Sequence, residues 1–415
     1  MTKLKGACLF GQSGGPTAVI NASAAGVFLE ALKYDLITDI YGAEHGIKGI
    51  LDENFFDIRQ EDVEELNLLK NTPSSALGSV RYKLKPVNVD DRDYKRILEV
   101  FEKYNIRYFF YNGGNDSMDT CNKISKYLQL ADYECHIIGI PKTIDNDLNG
   151  TDHCPGYGSA ARYVATTMME LYQDTHTFDT GLVTIVEIMG RNAGWLTASA
   201  TVAGLKGYGP DLVYLPEIPF DTDKFVSDVI RVAKEKNNKV MVVLSEGIQD
   251  MDGKYVSEYL VSLNTDSFGH AQLGGVATVL AGIISDNLKI KVRPIEFSLL
   301  QRCAGHIASK TDIEEAFMAG VMAVRYAIEG ETDKMVIFKR NEGKNYSINY
   351  ELLDVYHAAN VEKRIPRSWI NEDGNGLNEK FFEYVIPLIQ GDPEVEYEES
   401  LPRYAKLKKI RVPKK

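Results

Sequence analysis

Short apolar runs that stop at glycine or at a polar cluster recur along this chain. Residues 4–10 end at Gly11-Gln12-Ser13-Gly14-Gly15-Pro16, and residues 106–111 at Asn112-Gly113-Gly114-Asn115-Asp116-Ser117. Residues 136–140 run into Pro141-Lys142-Thr143-Ile144-Asp145-Asn146-Asp147, residues 182–188 into Met189-Gly190-Arg191, and residues 239–244 into Ser245-Glu246-Gly247. Between them, residues 20–32, 118–128 and 160–171 carry helical spacing. Strands alternating with helices predict βαβ units and a mostly parallel sheet. Ligands of such sheets collect at the carboxyl ends of the strands. Five polar strand ends on one edge would therefore build one site.

With 415 residues the chain is too long for one small core and suits two closely packed domains or one large α/β unit. The balance of 47 basic against 59 acidic residues excludes a nucleic-acid or anionic-membrane surface as the main partner. Anions can then be bound only where cations and backbone amides converge locally. Five cysteines without a CxxC pair fit reduced thiols rather than a disulfide frame or a zinc site. No apolar run is long enough for a membrane helix and no signal-peptide core opens the chain, so a cytoplasmic location is expected. The seven histidines show no metal-binding spacing. Trp195 and Trp369 read as core or interface anchors.

The turn Gly14-Gly15-Pro16 allows backbone amides close to a phosphate, beside a helix start with its positive dipole end. A tight turn without ligand explains it as well, since neither a Walker A loop nor GxGxxG is present. Gly113-Gly114-Asn115-Asp116-Ser117 repeats the arrangement with an added carboxylate, which could also cap the next helix. Lys142, Asp145 and Asp147 fall within six residues of one strand end. A carboxylate there can accept a hydroxyl proton, another can help hold Mg²⁺ through water, and the lysine can neutralise phosphate. The competing reading is a solvated loop with its own Lys–Asp pair. Arg81, Arg191, Arg293 and Arg302 stand beside turn residues, where a planar guanidinium suits phosphate oxygens.

In order along residues 4–340, these elements resemble the phosphofructokinases. The match runs from residues 13–21 through Gly78-Ser79-Val80-Arg81, the two segments at 113–117 and 141–147, and residues 186–191 to Glu246 and Gln301-Arg302. The Lys-Thr-Ile-Asp-Asn-Asp and Met-Gly-Arg elements are its most specific parts. The resemblance implies two Rossmann-like parallel-sheet α/β domains: residues 1–156 with 301–350 binding the donor, and residues 157–300 binding the sugar phosphate. Residues 351–415 would form a C-terminal extension packing on both. Its acidic run 394–399 and its lysine tip are expected to be solvated.

Carried over by position, the resemblance makes Asp145 the proton acceptor, with Lys142 and Arg191 stabilising the transferring group. Gly15, Arg81 and Asp116 would meet the donor. Thr143, Ile144, Asp147, Met189, Gly190, Arg191, Glu246, Arg293, Leu299 and Arg302 would line the sugar phosphate, and Asn115 would lie at the Mg²⁺. The partners implied are fructose 6-phosphate, a phosphoryl donor and further copies of the chain, as a homodimer or homotetramer. Rival readings are an ATP-dependent sugar-phosphate kinase and a non-catalytic sugar-phosphate sensor.

The donor follows from two residues. In ATP-using relatives the positions of Asp116 and Lys142 are glycine. A carboxylate at the α-phosphate position repels it by roughly 4 kcal/mol at about 4 Å and an effective dielectric near 20. That is close to a thousandfold selection against ATP. Lys142 adds positive charge for small, highly charged pyrophosphate. Three positions depart from the family pattern. Asn115 replaces a metal-associated aspartate, Leu182 an arginine that reaches a neighbouring subunit, and Leu299 a histidine or tyrosine. His270, Tyr356 and Lys363 are candidates to compensate.

Overall fold

Apolar runs bounded by glycine do form the strands. The computed structural model describes residues 4–259, 275–343, 345–359 and 361–415. A seven-stranded sheet contains β1 (Gly6–Gln12), β2 (Ile37–Ala43), β3 (Phe55–Asp57), β4 (Ile106–Gly113) and β5 (His136–Pro141). A second, four-stranded sheet contains β6 (Leu182–Ile188), β7 (Leu212–Tyr214), β8 (Lys239–Ser245) and β9 (Lys291–Glu296). The chain then returns to the first sheet as β10 (Lys334–Arg340) and β11 (Ile348–Asp354). The orders are β11-β10-β5-β4-β1-β2-β3 and β7-β8-β6-β9. All neighbours are parallel except the edge pairs β10–β11 and β2–β3. Every residue of β1 and β6 is buried, as expected when helices cover both faces.

β1 starts and ends two residues later than its apolar run, because the polar Gln12 continues the ladder against Asn112 of β4. The buried Gln12 amide is satisfied at both ends: it donates to Asn21 Oδ1 at 2.9 Å and accepts from the Leu77 amide at 3.0 Å. β9 escapes a reading by apolar runs because it is a half-exposed edge strand containing Pro294, tolerated there for want of a further neighbour. Helices span Ile20–Ala31, close to the expected 20–32, and Asn115–Leu130 and Tyr157–Thr177, both of which begin earlier and end later than their helical spacing suggested. Asn115 and Asp116 thus sit in the first helical turn, directly after β4.

The C-terminal lysine tip is not a solvated tail. Asp57 donates to the Ile410 carbonyl at 2.8 Å and Val412 to the Phe55 carbonyl at 2.9 Å, so the chain end covers the open edge of β3. The Glu61 carboxylate receives the amides of Lys408 and Lys409, both at 2.7 Å. The four lysines Lys408, Lys409, Lys414 and Lys415 are exposed as expected, but backbone groups, not their charges, decide where this segment goes. The acidic run near residue 397 does stay exposed. All five cysteines are free. Among the described residues no helix is long and apolar enough to cross a membrane.

The helix Ile20–Ala31 packs on the helix Lys310–Glu329 through reciprocal glycines. A Cβ on Gly26 would lie 2.1 Å from the Phe317 carbonyl oxygen, and one on Gly320 2.1 Å from that of Ser23. Neither backbone can yield without moving a helix. Gly320→Ala should therefore lower stability by about 1–3 kcal/mol, despite gaining roughly 1 kcal/mol of helix propensity. An unchanged denaturation midpoint would refute this close-packed crossing.

Candidate active site

Because β5, β4 and β1 are adjacent, their three terminal turns open into one cleft. β6 and β8 of the second sheet face them across it. The cavity holds about 280 Å³ and is lined by both glycine turns, Arg81, Asn115, Asp116, residues 142–145, Asp147, Met189, Arg191, Glu246 and Arg302.

The glycine turns serve cations. Gly14 adopts φ +75°, where a side chain is strained, and a Cβ there would lie 3.3 Å from Lys142 Nζ. One on Gly15 would lie 3.0 Å from Arg302 Nη1. The Lys142 ammonium, only 4% exposed, donates to the Gly15 carbonyl at 2.7 Å. Burial, with Arg302 and Arg81 nearby, pulls its pKa down to about 8, although Asp145 opposes the shift. Three cations thus crowd one turn, an arrangement that an anion would relieve.

After β5 the chain is held by Asn146, in a left-handed conformation (φ +55°). Its buried amide donates to the Tyr384 hydroxyl at 2.7 Å and accepts from the Cys154 amide at 2.9 Å. Thr143 Oγ1 accepts from the Asp145 amide at 3.1 Å. With Asn146 turned inward, Asp145 and Asp147 on either side line the cleft. Burial raises the Asp145 carboxyl to about 6, with Glu246 adding and Lys142 and Arg191 opposing. Burial and Asp145 raise Asp147 to about 7. Glu246, also raised by burial to about 7, accepts from the Gly190 amide at 3.3 Å. Gln301 fixes the same loop by accepting from the Met189 amide at 3.3 Å.

Asn115 Nδ2 is 3.4 Å from Asp147 Oδ2, while its buried Oδ1 has no hydrogen-bond partner. Asp116 is 38% exposed, with the Lys83 ammonium 4.0 Å away.

Two expected residues are not brought to this cleft. Arg293 lies along β9 and pairs with Asp174 at 2.8 Å, on the outer edge of the second sheet. Leu299 is 54% exposed and is not part of the lining; it touches the site only through its carbonyl, which accepts from the Arg302 amide at 3.2 Å. Gly190 stands behind the wall and acts through its amide. Of the candidate compensators, His270 lies outside the described residues and Tyr356 is exposed. Lys363 instead holds the carbonyls of Thr151 and Asp152 at 3.2 and 2.6 Å. Sequence reasoning gave no site role to Ser13, Thr17, Ser117, Asn192 and Glu362, which join the lining. The first three lie inside recognised motifs and Asn192 directly follows one; Glu362, from the C-terminal segment, carries no local signal.

Backbone amides at helix starts, clustered cations and a carboxylate with a raised pKa mark an enzyme that transfers phosphoryl groups. The chain belongs to the phosphofructokinase family, whose model, described as Phosphofructokinase, matches residues 8–295. It is 43% identical over 410 residues to a pyrophosphate–fructose 6-phosphate 1-phosphotransferase of Halomonas elongata, covering 98% of this chain and 97% of that protein. A protein of the same name from Xanthomonas campestris pv. campestris is 44% identical over 417 residues, covering 99% of this chain and 98% of that one. The crystal structure of a pyrophosphate-dependent phosphofructokinase from Nitrosospira multiformis superposes with a TM-score of 0.89 at 40% identity, covering 98% of both chains.

The raised carboxyls have a stability consequence. Asp145 titrates near 3.8 when unfolded and near 6 when folded. The folded chain therefore keeps a proton that the unfolded chain releases, and stability falls as pH rises through that window. Asp145→Asn should accordingly raise unfolding free energy near pH 8 by on the order of 2 kcal/mol, a gain that vanishes once the pH is well below 3.8 and both states are protonated. Equal stability of the two proteins under both conditions would contradict the burial argument.

Proposed function

We infer that the chain transfers a phosphoryl group from pyrophosphate to the 1-hydroxyl of fructose 6-phosphate, giving fructose 1,6-bisphosphate and phosphate. The observation that carries this reading is the Lys142 ammonium buried under the Gly14–Gly15 turn, with Asp116 on the same cleft. A fixed cation there suits a small, dense polyanion, and Asp116 repels the α-phosphate of a nucleotide. Since Asp116 is 38% exposed, water screens it, and discrimination against ATP falls below the thousandfold of an unscreened pair. The named relatives support the same donor.

In this reading Gly15, Arg81 and Lys142 hold pyrophosphate. Thr143, Ile144, Met189, Arg191, Glu246 and Arg302 surround the sugar phosphate, and the Gly190 amide holds the Glu246 carboxylate in place. Asp145 takes the hydroxyl proton as the oxygen attacks in line, while Lys142 and Arg191 stabilise charge on the group in transfer. Mg²⁺ suits the residues present: the unpaired Asn115 Oδ1 and the adjacent Asp147 offer oxygen ligands, the rest coming from water and substrate phosphate. When bound, Mg²⁺ neutralises charge on the donor oxygens. The donor unit comprises residues 1–156 with 301–350, and the acceptor unit residues 157–300. We assign Arg293 to the acceptor site of a second copy, in a homodimer or homotetramer, and the enzyme to the cytoplasm.

The direct test supplies fructose 6-phosphate and Mg²⁺ with either pyrophosphate or ATP. Turnover should require pyrophosphate, and a preference for ATP would overturn the reading. Asp145→Asn should lower kcat by about 10²–10⁴, and turnover within tenfold of wild type would exclude it as the base. Asp116→Gly should raise the ATP-to-pyrophosphate ratio of kcat/KM, and Lys142→Gly should chiefly depress pyrophosphate turnover. An unmoved donor ratio would discard the charge-exclusion argument.

The rate should be bell-shaped in pH. It falls below about 6 as Asp145 is protonated and above about 8 as Lys142 loses its charge. A flat profile between pH 5 and pH 9 would refute this pairing of roles.

A further inference from the structure

The C-terminal segment around residue 362 enters the cleft between its two halves. Glu362 pairs as an isolated antiparallel bridge with Leu148, and the Lys363 amide donates to the Asp147 carbonyl at 2.7 Å. From the second sheet's side, Trp195 Nε1 donates to the Lys363 carbonyl at 2.8 Å. The Glu217 carboxylate accepts from the amides of Gly194 at 2.9 Å and Ile365 at 3.1 Å. The backbone here is therefore stitched to the loop after Asp147 and to the loop after Arg191. The Glu362 side chain projects between them into the lining of the cavity, where it is 35% exposed.

One Glu362 oxygen, Oε1, accepts from Asn192 Nδ2 at 2.6 Å. The other, Oε2, has Arg364 at 4.0 Å, on a side chain that is itself 57% exposed. A carboxylate offers about four lone-pair positions, so most of its accepting capacity faces the cleft. Phosphates belong by the four cations of the cleft. An anionic side chain on the Asn192 side suits the uncharged, hydroxyl-bearing stretch between the two phosphates of a sugar bisphosphate.

We propose that Glu362, with Asn192, is an acceptor-specificity element that accepts hydrogen bonds from non-reacting hydroxyls of the sugar phosphate. The proposal rests on the functional reading above. A site that hydrogen-bonds a substrate hydroxyl rejects the analogue lacking it, because its own polar group is left unpaired. Glu362→Gln keeps an oxygen for Asn192 but loses the charge, whereas Glu362→Ala loses both.

The test is a cycle between protein and substrate. Wild type, Glu362→Gln and Glu362→Ala are assayed with pyrophosphate and fructose 6-phosphate, then with its 3-deoxy and 4-deoxy analogues. Glu362→Ala should lower kcat/KM for the parent sugar by about ten- to hundredfold, with KM for pyrophosphate within about twofold of wild type. Glu362→Gln should fall between the two. At least one deoxy analogue, poor with wild type, should be no poorer than the parent sugar with Glu362→Ala. A residue that merely braced the loop would lower all three sugars by one factor. That result, or a donor KM that moves as much as the acceptor KM, would overturn the Glu362 assignment alone. No wild-type turnover of fructose 6-phosphate would overturn the functional reading and this assignment together.

Discussion

An ammonium group taken out of water at the end of a strand needs a hydrogen-bond acceptor close at hand, and Lys142 finds it in the Gly15 carbonyl. Much of the cleft follows from that contact. Gly15 can present its oxygen there only because Gly14 takes a conformation that side-chain-bearing residues avoid, and because neither glycine has a Cβ to displace Lys142 or Arg302. The two residues lie 127 positions apart in the chain. They meet because β1, β4 and β5 are consecutive in the sheet. The strand order is thus a precondition of the chemistry.

The cleft is held in a state that folding alone would not favour. Asp145, Asp147 and Glu246 are buried together and resist ionisation, while Lys142 and Arg302 share one turn and resist protonation. Such a concentration of buried ionisable groups costs stability in the free protein and is offset when charged substrates arrive. Its shape is maintained from behind by satisfied, buried groups. Asn146 is bonded at both ends of its amide, and Asp312 accepts from the amides of Gly156 and Ser159 at 2.9 and 2.8 Å. Hydrogen bonds behind the wall of the cleft set the positions of the charges that line it.

The end of the chain has two structural tasks. Residues near 362 bind the two halves of the cleft together, and Trp195, Trp369 and Tyr384 pack mutually behind them, with ring centroids 5.1–5.9 Å apart. Residues near 411 close the open edge of β3. Both tasks rest on backbone hydrogen bonding, which depends weakly on side-chain identity. This is why composition at the lysine tip suggested a solvated tail.

Turn chemistry is local, and so the sequence by itself determined the glycine turns with Asp116, the Lys142–Asp147 segment and Met189–Arg191. Each needs only its immediate neighbours and the strand before it. Tertiary structure alone decided which of those turns face one another. It left Arg293 on the outer edge of β9, turned Leu299 to solvent, and carried Glu362 into the cleft from beyond the last large strand. The physical reason is that a side chain's environment is set by sheet order and by whatever covers a sheet edge. Both are chosen to bury apolar faces and pair backbone groups over the whole chain, and neither is written at any one position.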